Sequence, residues 1–284
     1  RQPDRRVAGK AIIHSVFSPV YTTDQVRSLE QAALRLPERP RLMERAGLAA
    51  AEYARASMGD TMRRVLVVAG PGNNGGDAFE VATHLKQWFY GVTVVFAGER
   101  DRLSPDSATA LAKWKAVGGT LEESIPARER WDLVIDGLFG IGLQRPLEGA
   151  HTRLVERINA LGLPVLALDI PSGINADTGA VMGCAVRAAR TITFIGLKPG
   201  LLTLDGPDHC GDLLSDSLGL DTESLLPPRG HLLDQTAVRQ ALASRPRNFH
   251  KGMAGTAAIL GGMTGMVGAA LLAGRAALKC GAGR

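Results

Sequence analysis

The stretch "VLVVAGPGNNGGDAFEVATHL", residues 65–85, decides the fold of this chain. Five apolar residues run into a glycine-rich loop, and the loop runs into a helical pattern of apolar residues. This pattern predicts a buried strand at 65–69 and a helix at 77–89. A strand, a tight glycine turn and a helix in this order are typical of the first unit of an open α/β sheet.

The loop inside this stretch has two interpretations. Gly70, Gly72 and Gly75 match the dinucleotide spacing G-x-G-x-x-G, which alone is weak evidence. Asp77 is predicted to cap the helix, where its charge would oppose a bound pyrophosphate. A tight turn with an Asp cap is one interpretation. A ligand-binding loop is favoured, because the additional polar residues and glycine exceed what a turn requires: Asn73, Asn74 and Gly76.

Strand and helix patterns alternate along the chain around this unit. Further strands are predicted at 92–97, 132–136, 164–169 and 191–195, and helices at about 105–117 and 150–161. Two earlier helices are predicted within 23–58, the first capped by Thr23 or Asp24. Near-continuous apolar strands separated by helices predict an α/β fold with a mainly parallel sheet covered on both faces, a three-layer αβα Rossmann-like domain.

Polar residues follow the ends of the predicted strands. Asp136 ends one strand, and Asp169 ends the next, with Ser172 close behind it. Together with Asn74 they form an all-oxygen set, which suits a hard cation and leaves one carboxylate for proton transfer. Each aspartate by itself is as readily explained as a loop cap.

Two basic residues each have more than one interpretation. Arg145 lies in a glycine-rich loop, where it either contacts a phosphate or is a solvated charge. Lys198 follows the predicted strand at 191–195, and three roles are open to it: neutralising a phosphate, tuning a nearby carboxylate, or an ordinary surface position.

Bulk composition excludes several classes of protein. The chain has 284 residues, 45% hydrophobic and 21% charged, which fits a globular protein, and it has no apolar run long enough for a membrane helix. Its net charge of +5 is concentrated in residues 229–284, which hold eight Lys or Arg and one Asp; this segment has no nucleic-acid motif. Three widely spaced cysteines, an odd count, predict a reducing cytoplasm rather than a disulfide framework: Cys184, Cys210 and Cys280.

The sequence pattern changes after about residue 222, where the alternation of strands and helices ends. Residues 223–249 contain Pro227, Pro228 and Gly230 and are predicted to be a linker. Beyond them, 255–262 is predicted to be a strand with a glycine turn, and 268–284 a helix. One strand–helix unit is too short for a domain of its own.

Taken in order, the motifs resemble the NAD(P)H-hydrate epimerase family, the YjeF N-terminal domain. The family's GPGNNGGDG loop is here GPGNNGGDA, with Ala78 in place of glycine. The other matching segments are LMERAG at 42–47, VIDGLFGIGL at 134–143, LDIPSGINADTG at 168–179 and KPG at 198–200. The resemblance covers about residues 20–220 and implies an isomerase that interconverts the R and S forms of hydrated NADH and NADPH.

The resemblance also implies roles for individual residues. Asp169 would contact the damaged nicotinamide ring and carry the proton transfer. Asn74, Asp136 and Ser172 would hold one potassium ion per subunit. The substrate would further contact two loops: Asn73, Asn74, Gly75, Gly76 and Asp77 in the first, and Gly140, Ile141, Gly142, Leu143, Gln144, Arg145 and Pro146 in the second.

The segment 250–284 resembles the start of an ADP-dependent NAD(P)H-hydrate dehydratase domain with a ribokinase-like fold, of which it would be the opening strand and helix. This implies an epimerase domain at 1–222, a linker at 223–249, and no dehydratase activity in this chain, with ADP serving only the missing domain. A homodimer or higher homo-oligomer is expected, with no nucleic-acid or membrane partner.

Two other functions remain open. An NAD(P)-dependent dehydrogenase would use G-x-G-x-x-G together with Glu99 or Asp101 near the end of the second strand of the sheet. A non-catalytic nucleotide-binding or protein-partner module on the epimerase fold is the other alternative. It is motivated by Ala78, whose methyl group would crowd the helix start or the substrate, and by the truncated dehydratase segment.

Overall fold

The computed structural model describes residues 17–59, 61–242 and 244–284. The strands are β1 (Phe17–Val20), β2 (Arg64–Ala69), β3 (Gly91–Phe96), β4 (Leu133–Gly137), β5 (Val165–Leu168), β6 (Arg190–Phe194), β7 (Asp212–Asp216) and β8 (Gly230–Leu233). The helices are α1 (Thr23–Ala33), α2 (Leu42–Met58), α3 (Asn73–Gln87), α4 (Pro105–Ala116), α5 (Ala150–Ala160), α6 (Gly206–Cys210), α7 (Thr222–Leu225), α8 (Gln235–Ala241) and α9 (Gly268–Lys279). Short 3-10 turns cover Arg100–Arg102, Pro199–Leu201 and Lys251–Ala254.

Strands β2 to β7 form a six-stranded parallel sheet in the order β3-β2-β4-β5-β6-β7, which confirms the predicted parallel α/β fold. The chain moves from β2 to β3 on one side and returns to β4 on the other side of β2. The strand order therefore reverses between β2 and β4, where α/β sheets open a crevice for ligands beyond the carboxyl ends of the strands. The edge strand β7 was not predicted, because its sequence DLLSD is only partly apolar.

Helices cover both faces of the sheet, and β2 shows how the sequence divides between them. Val65, Val67 and Ala69 face one apolar layer, and Leu66 and Val68 face the other. Helix α3 packs against α2 and α4 in the first layer, while α5 contributes Val155 and Ile158 to the second. Successive side chains of a strand point to opposite faces of the sheet. Because both faces of β2 are buried, the sequence at 65–69 is a near-continuous apolar run.

Helix α3 begins at Asn73, four residues before its predicted start, so the prediction that Asp77 caps it is wrong. The N-cap is Gly72, and the glycine-rich loop itself forms the first helical turn. Asp77 lies in the second turn. The glycines permit this early start, because a side chain at Gly75 would overlap the carbonyl of Gly70.

The cap of α1 also differs from the prediction. Thr22, rather than Thr23 or Asp24, is the N-cap, and it forms a capping box with Gln25. The backbone N–H of Thr23 instead donates to the carboxylate of Asp177, 2.8 Å away. This bond ties the start of α1 to the loop that follows β5.

The chain divides into two compact units, the first ending at Asp234 and the second spanning Gln235–Arg284. The segment 223–249 includes β8, which pairs antiparallel with β1 in the first unit. In the second unit the prediction of a strand at 255–262 is wrong, because the backbone there is irregular. A strand needs a partner strand for its backbone hydrogen bonds. Helix α9 ends at Lys279, before the predicted end. Within the described ranges, no helix is both long and apolar enough to span a bilayer.

Candidate functional site

The loops that follow β2 and β4 meet at the carboxyl edge of the sheet, where the strand order reverses. A side chain at Gly70 would overlap the carbonyl of Leu138, so the two loops approach as closely as backbone allows. Gly140 lies against the side chain of Asn74: a Cβ added there would come within 3.3 Å of the Asn74 Cβ and Cγ. Gly70 and Gly75 of G-x-G-x-x-G thus serve loop packing here, whereas a Cβ added at Gly72 would meet nothing within 4 Å.

Asp136 is the penultimate residue of β4, and its fully buried side chain joins the loops after β4 and β5. Its carboxylate accepts from the backbone N–H of Ser172 at 2.8 Å and from the Ser172 hydroxyl at 2.6 Å. The N–H of Leu138 donates to the same carboxylate at 3.2 Å, and the N–H of Phe139 donates to the Ser172 hydroxyl at 2.8 Å. Burial raises the pKa of Asp136, and the hydrogen bonds from Ser172 oppose that rise.

Asn74 has the polar atoms that a cation site at this edge would need. Its side chain is buried, and neither its Oδ1 nor its Nδ2 has a hydrogen-bond partner among the described residues. A buried amide of this kind is costly unless a ligand satisfies it. No group of three or more His, Cys, Asp or Glu able to hold a metal occurs in the described part of the chain. One carboxylate with neutral amide and hydroxyl oxygens, here Asp136, Asn74 and Ser172, is the kind of donor set that suits a hard cation.

The glycine-rich loop is also held from α4, which sequence reasoning missed. The hydroxyl of Ser104, the N-cap of α4, donates to the Asn73 side chain at 2.7 Å. The hydroxyl of Ser107, fully buried, donates to the carbonyl of Gly72 at 3.3 Å. The signal was the segment SPDS at the predicted start of this helix, which is typical of an N-cap with a second hydroxyl three residues on.

Asp169 directly follows β5 and contacts a buried lysine. The ammonium of Lys198 donates to Asp169 Oδ1, to the Thr193 hydroxyl at 2.9 Å and to the Phe194 carbonyl at 2.7 Å. Lys198 is completely buried and the Asp169 side chain is 13% exposed. Of the three roles left open for Lys198, the structure places it beside a carboxylate and away from the surface.

Two further carboxyl groups face this pair. Burial, and then the negative charge of Asp169, raise the pKa of Glu30 on α1 and raise that of Asp77 on α3 well above its usual value. Lys198 acts in the opposite direction on both groups. Glu30 was missed from sequence, although its position was a signal: it lies one helical turn after Val26, on the face of α1 that turns inward.

The remaining predicted substrate residues fall into two groups. Asn74, Gly75 and Gly76 are buried at the start of α3. The second loop is more open: Gly140, Ile141 and Leu143 are half-buried, whereas Gly142, Gln144, Arg145 and Pro146 are exposed. Arg145 makes no hydrogen bond or ion pair with any residue that the structure describes, so both of its interpretations stay open.

Ala78, the departure from the family loop, points into the protein. Its methyl group is fully buried, and it is the first side-chain atom that a Cβ added at Gly137 would meet. The methyl group therefore packs against the end of β4. Crowding of a ligand by Ala78 has no support in this arrangement.

The carboxylate that a dehydrogenase would need is engaged elsewhere. Glu99 follows β3, but its side chain is 69% exposed and pairs with Arg102 at 2.9 Å. Asp101 is also exposed. Neither residue is buried in the crevice between β2 and β4.

Comparisons with known proteins identify the family of this chain. The model of the family described as YjeF-related protein N-terminus matches residues 39–200. The chain is 44% identical over 201 residues to an NAD(P)H-hydrate epimerase of Bordetella pertussis (strain CS), covering 69% of this chain and 86% of that protein. It is 38% identical over 256 residues to a bifunctional NAD(P)H-hydrate repair enzyme of Leishmania braziliensis, covering 85% of this chain and 45% of that protein.

Among solved structures, the crystal structure of the yeast protein ynu0 (YNL200c) superposes with a TM-score of 0.57 at 20% identity. The superposition covers 69% of this chain and 86% of the yeast chain, and it supports the fold alone. The chain thus spans about half the length of the bifunctional relatives and most of the length of the shorter ones.

Proposed function

Because this chain belongs to the NAD(P)H-hydrate epimerase family, we propose that it is an isomerase that interconverts the R and S forms of hydrated NADH and NADPH. This activity serves the repair of nicotinamide nucleotides. The observation that carries the proposal is Asp169, a partly exposed carboxylate that, like the pair of Asp136 and Ser172, lies at the carboxyl edge of the sheet. A non-catalytic module is not favoured, since the relatives are named as enzymes.

The reaction needs proton transfer and no external reductant. Hydrated NAD(P)H carries a hydroxyl on one ring carbon, and the configuration there changes when the ring opens and closes again or when hydroxide leaves and returns. In the ring-opening route, Asp169 takes the hydroxyl proton, the C–O bond becomes a carbonyl, and the electron pair of the breaking C–N bond stays on the ring nitrogen. Closure on the other face returns the proton. A positioned carboxylate of this kind accelerates such a step by about 100- to 10,000-fold.

Binding is assigned to the two loops at the crevice. We propose that Asn73 to Asp77 contact the hydrated nicotinamide dinucleotide, and that Gly140 to Pro146 lie along its phosphates. The backbone N–H groups at the start of α3 suit a negatively charged group. Asn74, Asp136 and Ser172 would hold a potassium ion, which supplies a fixed positive charge that orders these loops and the substrate phosphates.

Assembly, domain organisation and location are likewise proposals. We propose a homodimer or higher homo-oligomer in the cytoplasm, an epimerase domain at 1–222, and a linker at 223–249. Residues 250–284 would be the start of a dehydratase domain such as the bifunctional relatives carry. ADP is assigned to that dehydratase and has no part in the epimerase site.

The proposal is tested with R-enriched hydrated NADH, with and without potassium, following the ratio of R to S by chromatography. The expected result is equilibration faster than the spontaneous rate, lost in Asp169→Asn. Asp132→Asn is the matched control, because Asp132 accepts two backbone N–H bonds, from Arg63 and Arg64, beside the start of β2. This variant should keep the full rate.

Two results would overturn the proposal. Binding of hydrated NADH without acceleration would favour a non-catalytic module on this fold. A change in nicotinamide absorbance with an oxidisable substrate would favour a dehydrogenase. Equal loss of activity in Asp132→Asn and Asp169→Asn would indicate unfolding rather than chemistry, and the free energy of unfolding measured in urea separates the two.

A further inference from the structure

The ammonium group of Lys198 has no donor left for a ligand. It carries three hydrogens, and three acceptors surround it: Asp169 Oδ1, the Thr193 hydroxyl and the Phe194 carbonyl. The side chain is fully buried. A lysine that binds a substrate phosphate needs at least one free donor facing the ligand, so the arrangement argues against that role.

The contacts on Asp169 are all on one oxygen. Oδ1 accepts from Lys198, from the Thr193 hydroxyl at 3.3 Å and from the Phe194 N–H at 3.3 Å. Oδ2 accepts no hydrogen bond from any described residue. One oxygen of the carboxylate is therefore fixed by the protein, and the other is left for a ligand.

The backbone at Asp169 is held in an uncommon conformation. Its φ angle is +65°, in the left-handed region, which for a residue other than glycine costs on the order of 1 kcal/mol. The N–H of Asp169 donates to Ile192 of the neighbouring strand at 2.7 Å, which holds the turn in place. Strain of this kind persists where the surrounding structure fixes a functional side chain.

Charged groups reach Asp169 from three elements. Glu30 on α1, Asp77 on α3 and Asp169 after β5 are three carboxyl groups, and Lys198 after β6 is the ammonium that faces them. Without Lys198, carboxyl groups would face one another across a poorly solvated space. Its positive charge offsets the repulsion among them.

We propose that Lys198 is a positioning residue that holds Asp169 by Oδ1, so that Oδ2 alone exchanges the proton with the substrate hydroxyl. The proton moves from that hydroxyl to Oδ2 and returns in the reverse step, with no net change in the protein. The inference rests on the proposed epimerase function, since it assigns an atom of Asp169 to that reaction.

The test compares kcat and KM for hydrated NADH between pH 5 and 9 in the wild type and in Lys198→Met. We expect kcat to fall by about 100-fold or more across this pH range and KM to stay within about 3-fold. Lys113→Met is the matched control. Lys113 on α4 also bridges two carboxylates, Glu44 at 2.8 Å and Glu80 at 2.6 Å, but makes no contact with Asp169. This variant should leave kcat unchanged over the same pH range.

A second variant covers the case in which Lys198→Met does not fold. Thr193→Val removes one acceptor of the ammonium and one donor to Asp169 while the charge stays, and we expect kcat to fall about 10-fold at unchanged KM. Thr193→Ser keeps the hydroxyl and should restore most of the rate. Wild-type kcat in Lys198→Met or Thr193→Val, or a loss confined to KM, would overturn the inference while the epimerase function stands.

A readout without turnover separates this inference from the proposed function. The ¹³C chemical shift of the Asp169 carboxyl group, assigned by its absence in Asp169→Asn, is recorded at pH 7 in the wild type, in Lys198→Arg and in Lys198→Met. Arginine keeps a charged donor for Oδ1, so the chemical shift should change little, whereas it should move in Lys198→Met, which removes that donor. An unchanged chemical shift in Lys198→Met would overturn the inference even if the wild type proved inactive.

Discussion

Ser172 donates both its backbone N–H and its hydroxyl to the buried carboxylate of Asp136, at 2.8 Å and 2.6 Å. The pair joins the loop after β4 to the loop after β5. The same hydroxyl accepts from the N–H of Phe139 at 2.8 Å, so one side chain fixes the start of the second substrate loop as well. The candidate cation site is therefore part of what holds these loops together.

The first prediction concerns Ser172→Ala. Removing the hydroxyl leaves a buried carboxylate oxygen and the Phe139 N–H each without this partner, which should lower the free energy of unfolding by about 1–3 kcal/mol. Urea denaturation measures this. Ser28→Ala is the control, since that exposed hydroxyl on α1 only bonds the carbonyl of Asp24, and it should change stability by less than about 0.5 kcal/mol. Equal effects of the two variants would contradict the prediction.

The geometry of the sheet explains how much of this candidate site could be predicted from the sequence. Asp136 and Asp169 were predicted to lie at one edge because the carboxyl ends of parallel strands share that edge, so residues after different strands meet there. The contact between Asp136 and Ser172 lies at that edge as expected. The strand pattern at 65–69 sufficed for the fold because both faces of β2 are buried.

What escaped prediction depends on three-dimensional contacts. Glu30 lies on a helix outside the alternating units, and only packing shows which residues it faces. The start of α3 at Asn73 was missed because glycines disfavour helices in general, and here the close approach of Gly75 to Gly70 outweighs that preference. The left-handed backbone of Asp169 leaves no mark in the sequence, since aspartate is common in many loop conformations.

The second prediction is that potassium stabilises the protein through Asn74. With potassium in excess over its dissociation constant, the melting temperature should rise by about 2 °C or more relative to sodium or choline at equal ionic strength. Asn74→Ala should abolish the rise, because its Oδ1 is one of the oxygens assigned to the ion.

Asn159→Ala is the matched control for potassium. Both polar atoms of Asn159 are already bonded, to the Ala185 carbonyl at 2.9 Å and to the Arg187 N–H at 2.9 Å. This variant should lose stability and keep the full response to potassium. A wild type that melts at the same temperature in all three salts would contradict the assignment of the site.

The third prediction concerns Ala78→Gly, which restores the residue usual in the family loop. The buried methyl group packs toward Gly137, and glycine also disfavours the helix, so we expect a loss of about 1–2 kcal/mol in the free energy of unfolding. KM for hydrated NADH should stay within about 2-fold. Ala112→Gly, at an exposed position of α4, is the control. It should lose only the part of the free energy of unfolding that comes from the lower helix propensity of glycine, about 1 kcal/mol. A large fall in KM with no loss of stability would show that Ala78 does crowd the ligand.

The fourth prediction uses the pKa of Glu30, which burial and the charge of Asp169 raise above 4.5. The folded state then binds the Glu30 proton more tightly than the unfolded state does, so this residue costs stability as pH rises from about 4.5 through its raised pKa. Glu30→Gln removes that cost. Urea denaturation should give equal stabilities near pH 4 and a more stable variant at pH 7, and the variant should be a slower epimerase.

Glu44→Gln provides a control of opposite sign. The hydrogen bond from Lys113 is the largest cause that lowers the pKa of Glu44, so the wild-type carboxylate contributes stability above pH 4.5 that is lost as pH falls through the lowered pKa. Glu44→Gln should therefore be less stable than the wild type at pH 7, with the difference vanishing in acid. Parallel curves for the two variants would show that the electrostatics of Glu30 are misassigned. If the stabilities of the two variants change in opposite directions with pH, and only Glu30→Gln loses activity, then Glu30 is a destabilising carboxyl group at the centre of the site.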